Sequence, residues 1–91
     1  MDLTFGRPYW EDGEIRTFDP SVNDAEYVWH KDLEDREIEI LEGEGWQFQL
    51  EKCLPWLLKK GMVFDVKQHE YHRLIKGVTP LKCRVIKHDN S

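Results

Sequence analysis

Two polar clusters hold the side chains whose types and spacing could do chemistry. WHKDLEDR at 29–36 supplies His30, Asp32 and Arg36, and QHEYHR at 68–73 supplies His69 and His72. Two imidazoles with one carboxylate make a donor set that suits Fe, Mn, Ni or Zn. A guanidinium beside them repels a divalent ion and prefers a carboxylate or another anion as its partner. The four residues His30, Asp32, Arg36 and His72 therefore fit two chemistries. In the first, His30, Asp32 and His72 bind a divalent metal and Arg36 orients an anionic ligand. In the second, Arg36 pairs with Asp32 and the histidines are structural. His69 falls in a polar turn and is the weaker ligand candidate.

These residues need strands to bring them together. Arg36 to Leu41 alternates, with Ile38 and Ile40 on one face and Glu37 and Glu39 on the other, the signature of a half-buried strand. Trp46, Phe48 and Leu50 alternate against Gln47, Gln49 and Glu51. The intervening Gly43-Glu44-Gly45 reads as a turn, so the two runs are expected to form a hairpin. A short apolar piece at 54–58, then Met62–Val66, Tyr71–Ile75 and Leu81–Lys87, give further strands, and a β pattern is also expected from Ala25 through Trp29. Side chains alternate faces along a strand. Parity then puts Arg36 with the isoleucines and His72 with Leu74. A consistent assignment points His30, Asp32, Arg36 and His72 into one interior. Burying such charges requires partners.

The domain boundaries follow from composition. Residues 1–24 are rich in turn formers and carry Phe5, Tyr9 and Trp10; they read as an arm covering a sheet edge or reaching a partner subunit, with a short strand at Ile15–Phe18. Residues 25–87 form the β body, and 88–91 a loose tail. No stretch sustains a helical period, and several short strands with turns between them indicate an all-β sandwich or barrel.

The totals narrow the function classes. Ninety-one residues make one domain with room for a core. A formal charge of −5 disfavours nucleic-acid binding, which needs a basic face. Cys53 and Cys83 lack zinc or redox spacing and read as small core residues in a reducing, cytoplasmic setting. No leader pattern and no apolar run near eighteen residues is found, so neither export nor membrane insertion is expected. Phosphate loops, nucleophile elbows and HExxH are missing from the sequence.

The spacing of the polar clusters resembles the cupin superfamily, whose first motif contains His-x-His, three or four residues, Glu, six residues, Gly. Here His30 matches the first histidine, Asp32 takes the place of the second, and Arg36 takes that of the glutamate, six residues before Gly43. The second motif runs Gly, five residues, Pro-x-Gly, two residues, His, three residues, Asn. Gly61 and His72 match it, while Lys67, His69 and Lys76 depart from it. The likeness covers roughly residues 25–87 and is closest to the very small single-domain cupins of marine bacteria and their phages. It implies a double-stranded β-helix, or jelly-roll, barrel, a divalent transition metal and a homodimer paired by sheets or arms.

On this reading the chain is a metal-binding enzyme acting on a small anionic molecule. The alternatives are a metal-free module binding an anion or sugar at the Arg36–Asp32 pair, and an interaction protein without a site. Arg36, Trp46 and Phe48 are the candidate ligand-contacting residues. Trp46, Phe48 and Trp56 also suit a core.

Overall fold

Alternation of apolar and polar residues builds about half of the described residues into antiparallel strands. The structure, a computed structural model, describes residues 9–21 and 25–88; side chains are described for 12–21 and 26–88. The strands are β1 (Tyr9–Asp12), β2 (Ile15–Phe18), β3 (Asp35–Glu42), β4 (Gln47–Leu50), β5 (Trp56–Leu57), β6 (Val63–Val66), β7 (His72–Ile75) and β8 (Leu81–His88). Five of them form one sheet in the order β1-β2-β8-β3-β6, and three form the other in the order β5-β4-β7. The expected strands at 36–41, 62–66, 71–75 and 81–87 all appear, shifted at most by one residue at either end. Among the described residues no helix is long and apolar enough to cross a membrane.

The two sheets enclose one interior. Ile40, Val66, Leu81, Cys83 and Val85 enter it from the larger sheet and Phe48 from the smaller. These are the positions that parity selects on each strand. Burial raises the Cys83 thiol to about 12, which leaves it protonated and inert. Outside, the alternate residues pair across strands, as in Arg84 Nη1 to Glu39 Oε1 at 2.6 Å.

Three expectations need correction. The runs around Gly43–Gly45 do not make a hairpin: β3 pairs with β6 and β8, whereas β4 pairs with β5 and β7. The glycine turn carries the chain from one sheet to the other. Its polar backbone groups are met by the 77–79 turn, with Val78 N–H donating to Glu44 O at 2.9 Å and Glu44 N–H to Thr79 Oγ1 at 3.0 Å. A Cβ at Gly77 would collide with the Glu44 carbonyl and the Trp46 backbone, so this crossing is held by a close approach that only glycine permits.

The second correction concerns 25–29, where a 3-10 turn at Ala25–Tyr27 replaces the expected strand. Only His30 joins the sheet, through a single bridge to His72. Third, Cys53 is exposed, because it lies in the turn after β4 next to Lys52, whose φ is 64°. The described part of the amino-terminal segment, β1 and β2, is a hairpin paired to the β8 edge, and it buries Arg16 and Phe18. The anchors Phe5, and the side chains of Tyr9 and Trp10, lie outside the described residues, as does most of the tail at 89–91.

Candidate functional site

His72 begins β7 facing the interior, and its backbone exchanges two hydrogen bonds with His30 at 3.1 and 2.9 Å. That bridge brings the imidazoles edge to face, with ring centroids 4.3 Å apart. The Lys67–Glu70 turn closes over the same end, since His69 N–H donates to Asp32 O at 2.8 Å. His69 adopts a φ of 65° there and stays exposed. Asp32 is thereby held against His72, with 3.2 Å from Oδ2 to Nε2.

Both histidines are oriented in the same way. His30 Nδ1 lies 2.8 Å from Val28 O, and His72 Nδ1 lies 2.8 Å from Glu70 O. A carbonyl oxygen only accepts, so each Nδ1 carries the proton. Each Nε2 then turns to a carboxylate, His30 to Glu26 Oε1 at 3.0 Å and His72 to Asp32 Oδ2. Anchoring Nδ1–H on a backbone carbonyl while Nε2 points inward is the arrangement that steadies metal-ligating histidines.

The charges are closely coupled. Burial pushes the Asp32 carboxyl up, but the His72 hydrogen bond and the Arg36 charge hold it below its usual range. Burial acts on Glu26 in the same direction and is outweighed by His30, which leaves Glu26 lowered too. For His30 burial favours the neutral ring, yet the Glu26 carboxylate overcomes this and raises it.

Arg36 reaches Asp32 Oδ1 at 3.4 Å and donates from Nη2 to Glu34 Oε1 at 3.1 Å. Its buried Nε has no hydrogen-bond partner among the described residues. Arg36, Asp32, Glu26, His72 and Arg16 line an interior cavity of about 40 Å³ whose remaining walls are apolar side chains such as Ile40 and Val85. At about 10–15 Å³ per water, that space admits an ion with a few ligand atoms and no sugar ring.

The predicted residues thus converge, with two exceptions. Glu26, His30 and His72 each offer one donor atom, and these atoms lie within 4.8 Å of one another. Asp32 is outside that group, and its oxygens lie against His72 and Arg36. Modest rotations would bring the three donors to the roughly 3–3.4 Å spacing set by bonds of about 2.1 Å to one ion. Glu26 escaped sequence reasoning since it sits in an unforeseen 3-10 turn; its four-residue spacing from His30 was the available signal. The second exception is Trp46. It is 0 % exposed, packs on Phe18 and Tyr27, and donates Nε1–H to Thr79 O at 2.6 Å. It is a core residue outside the cavity wall. Phe48 does line the cavity, stacked 5.4 Å from the His72 ring.

Compared with protein-family models, curated proteins and solved structures, the chain matches none.

Proposed function

We propose that this chain is a small cupin-like jelly roll that binds a divalent transition metal through Glu26, His30 and His72 and acts on a small anionic molecule. The strand order supports the fold reading. Take β2, the His30 segment and β3 to β8 as eight successive segments. The sheets then run first-eighth-third-sixth and second-seventh-fourth-fifth, the order of two nested Greek keys. Pairing of two such barrels belongs to the same proposal.

The metal reading rests on one observation: two Nδ1-anchored histidines direct Nε2 towards the same carboxylate-bearing corner. The donor set of two imidazoles and one carboxylate fits Fe(II), Mn(II), Ni(II) or Zn(II). Such an ion, when bound, supplies a Lewis-acid or redox centre. The protein supplies the rest. Arg36 offers its unpartnered Nε–H to an anionic ligand. Asp32 orients the Arg36 guanidinium by charge at 3.4 Å, and its contact with His72 Nε2 at 3.2 Å gives way when that nitrogen ligates the ion. The apolar walls restrict water and strengthen each charge interaction.

Co(II) titration followed by its visible absorption tests the ligand set. Glu26→Gln is expected to abolish tight uptake, whereas Asp32→Asn weakens it less. Equal uptake by wild type and Glu26→Gln would reject this ligand assignment. A second reading is favoured by the Arg36–Asp32 contact at 3.4 Å: the pocket binds a small anion without metal. Formate binding that persists in chelator and disappears in Arg36→Met would favour that module.

A further inference from the structure

The outer face of the smaller sheet presents a second, unrelated constellation. His30 bridges His72, and His72 pairs with Leu50. Residues one step away therefore turn outward. Trp29 and Tyr71 emerge 43 % and 42 % exposed. With Glu51 they bound an open cleft of about 280 Å³, against about 40 Å³ for the interior cavity.

The cleft is held in place by its neighbours. The Arg73 guanidinium stacks 4.8 Å from the Trp29 ring centre and donates Nε–H to Gln49 Oε1 at 2.9 Å. The Lys31 ammonium lies 5.5 Å from the Tyr71 ring centre. Glu51 is tied beside Tyr71 by its backbone N–H, which donates to Tyr71 O at 3.0 Å. Side chains fixed in advance lose less freedom when a ligand arrives.

Charge selects the class of ligand. A cation already sits on each aromatic ring, so a cationic or methylammonium guest meets repulsion where an aromatic cage would attract it. Glu51 beside Lys31 and Arg73 gives the cleft walls both signs of charge, so neither a cation nor an anion meets walls of one opposite sign, and the net charge of −5 works against an anion. What remains is a neutral ligand with an apolar face to lie on an aromatic ring and a polar rim to meet both donors and an acceptor. Pyranose rings have that form: C–H bonds cover their faces and hydroxyls their edges. The geometry points to a neutral oligosaccharide, with one sugar against Trp29 or Tyr71 and its hydroxyls meeting Glu51, Lys31 and Arg73. An open cleft suits a chain running across it better than a single engulfed sugar.

The test is an NMR titration of ¹⁵N-labelled protein with the neutral hexamers of cellulose, maltose and N-acetylglucosamine. Glucosamine hexamer and oligogalacturonate provide the cationic and anionic controls. At least one neutral hexamer is expected to shift the Trp29 indole N–H at millimolar concentration, while the enclosed Trp46 indole stays fixed. Trp29→Ala and Tyr71→Ala should each weaken that binding roughly tenfold with the melting temperature little changed, since both residues are exposed. Should either variant fail to fold, Glu51→Ala takes its place with the same expected weakening. Three outcomes would overturn the proposal: no neutral hexamer moves the Trp29 signal, a charged oligomer binds as well as the neutral ones, or the Trp29 signal depends on protein concentration because a second copy covers the cleft.

Discussion

At the Trp46 end of the smaller sheet the chain's own backbone answers its polar groups. The indole N–H meets Thr79 O, Glu44 N–H meets Thr79 Oγ1, and Gly77 closes on both. At the His72 end, three to four residues along the paired strands, the polar groups answer one another as charges. Glu26, His30, Asp32, Arg36 and His72 share a small volume, and Arg36 Nε is left without a hydrogen-bond partner among the described residues. Similar strands support both ends, so the difference lies in what fills the interior. The first arrangement maximises stability. The second leaves buried charges that are costly to desolvate and only partly paired.

The strongest way to break the comparison is at the Trp46 end. Trp46→Ala should cost about 3–5 kcal/mol, measured by urea unfolding, because it empties a fully enclosed site and orphans the Thr79 carbonyl. A loss below about 1 kcal/mol would show that this end is not the tightly packed one.

At the other end Asp32→Ala should cost about 2–3 kcal/mol, less than a fully isolated buried pair, since Arg36 keeps Glu34. Arg36→Met should cost clearly less than Asp32→Ala, as it removes the orphaned donor and adds an apolar side chain to an apolar wall. Equal losses would mean that the guanidinium is as well satisfied as its carboxylate.

Protons distinguish the ends next. His30 is raised above its ordinary 6.5, so its contribution is complete below pH 6.5 and is lost as pH rises through the raised value. Asp32 and Glu26 are lowered from 3.8 and 4.5; their contributions are present above those values and lost as pH falls through the lowered ones. Metal-free protein should therefore melt highest between about pH 5 and 6.5 and less well on either side. His30→Gln should flatten the alkaline limb. An unchanged limb would place its origin elsewhere.

The smallest effect concerns the cysteines. A thiol reagent at pH 8 should modify Cys53 rapidly in the folded chain and reach Cys83 only on unfolding, and Cys53→Ser should change stability by less than about 0.5 kcal/mol. Two rapidly modified thiols would contradict a closed interior around Cys83.

Side-chain alternation made most of this architecture legible in the sequence. Ile38 and Ile40, or Leu81, Cys83 and Val85, mark an inward face whatever strand lies beside them, and parity brings Arg36 and His72 to that interior. Sheet membership was not legible. Two alternating runs joined by Gly43-Glu44-Gly45 look alike whether the turn folds back or crosses between sheets, because the deciding partners, Gly77 and Thr79, lie more than thirty residues away. Strand parity and the bridge bring His30 and His72 together, with Arg36 beside them at Asp32. The neighbourhood of the carboxylates was not legible: Asp32 has the spacing of a ligand, but spacing does not reveal that its oxygens lie against His72 and Arg36, or that the 3-10 turn sets Glu26 beside His30. Trp46 was ambiguous for a similar reason, since an aromatic residue on an inward parity suits a core or a cavity wall equally well.

Elemental mass spectrometry on untagged protein, before and after reconstitution with Fe, Mn, Ni and Zn, tests the central claim most directly. Wild type should hold close to one transition-metal ion per chain, and Glu26→Ala and His72→Ala should lose it while keeping the folded spectrum. Wild type that takes up none of these metals would contradict the account and leave the Arg36–Asp32 pocket as a metal-free anion site.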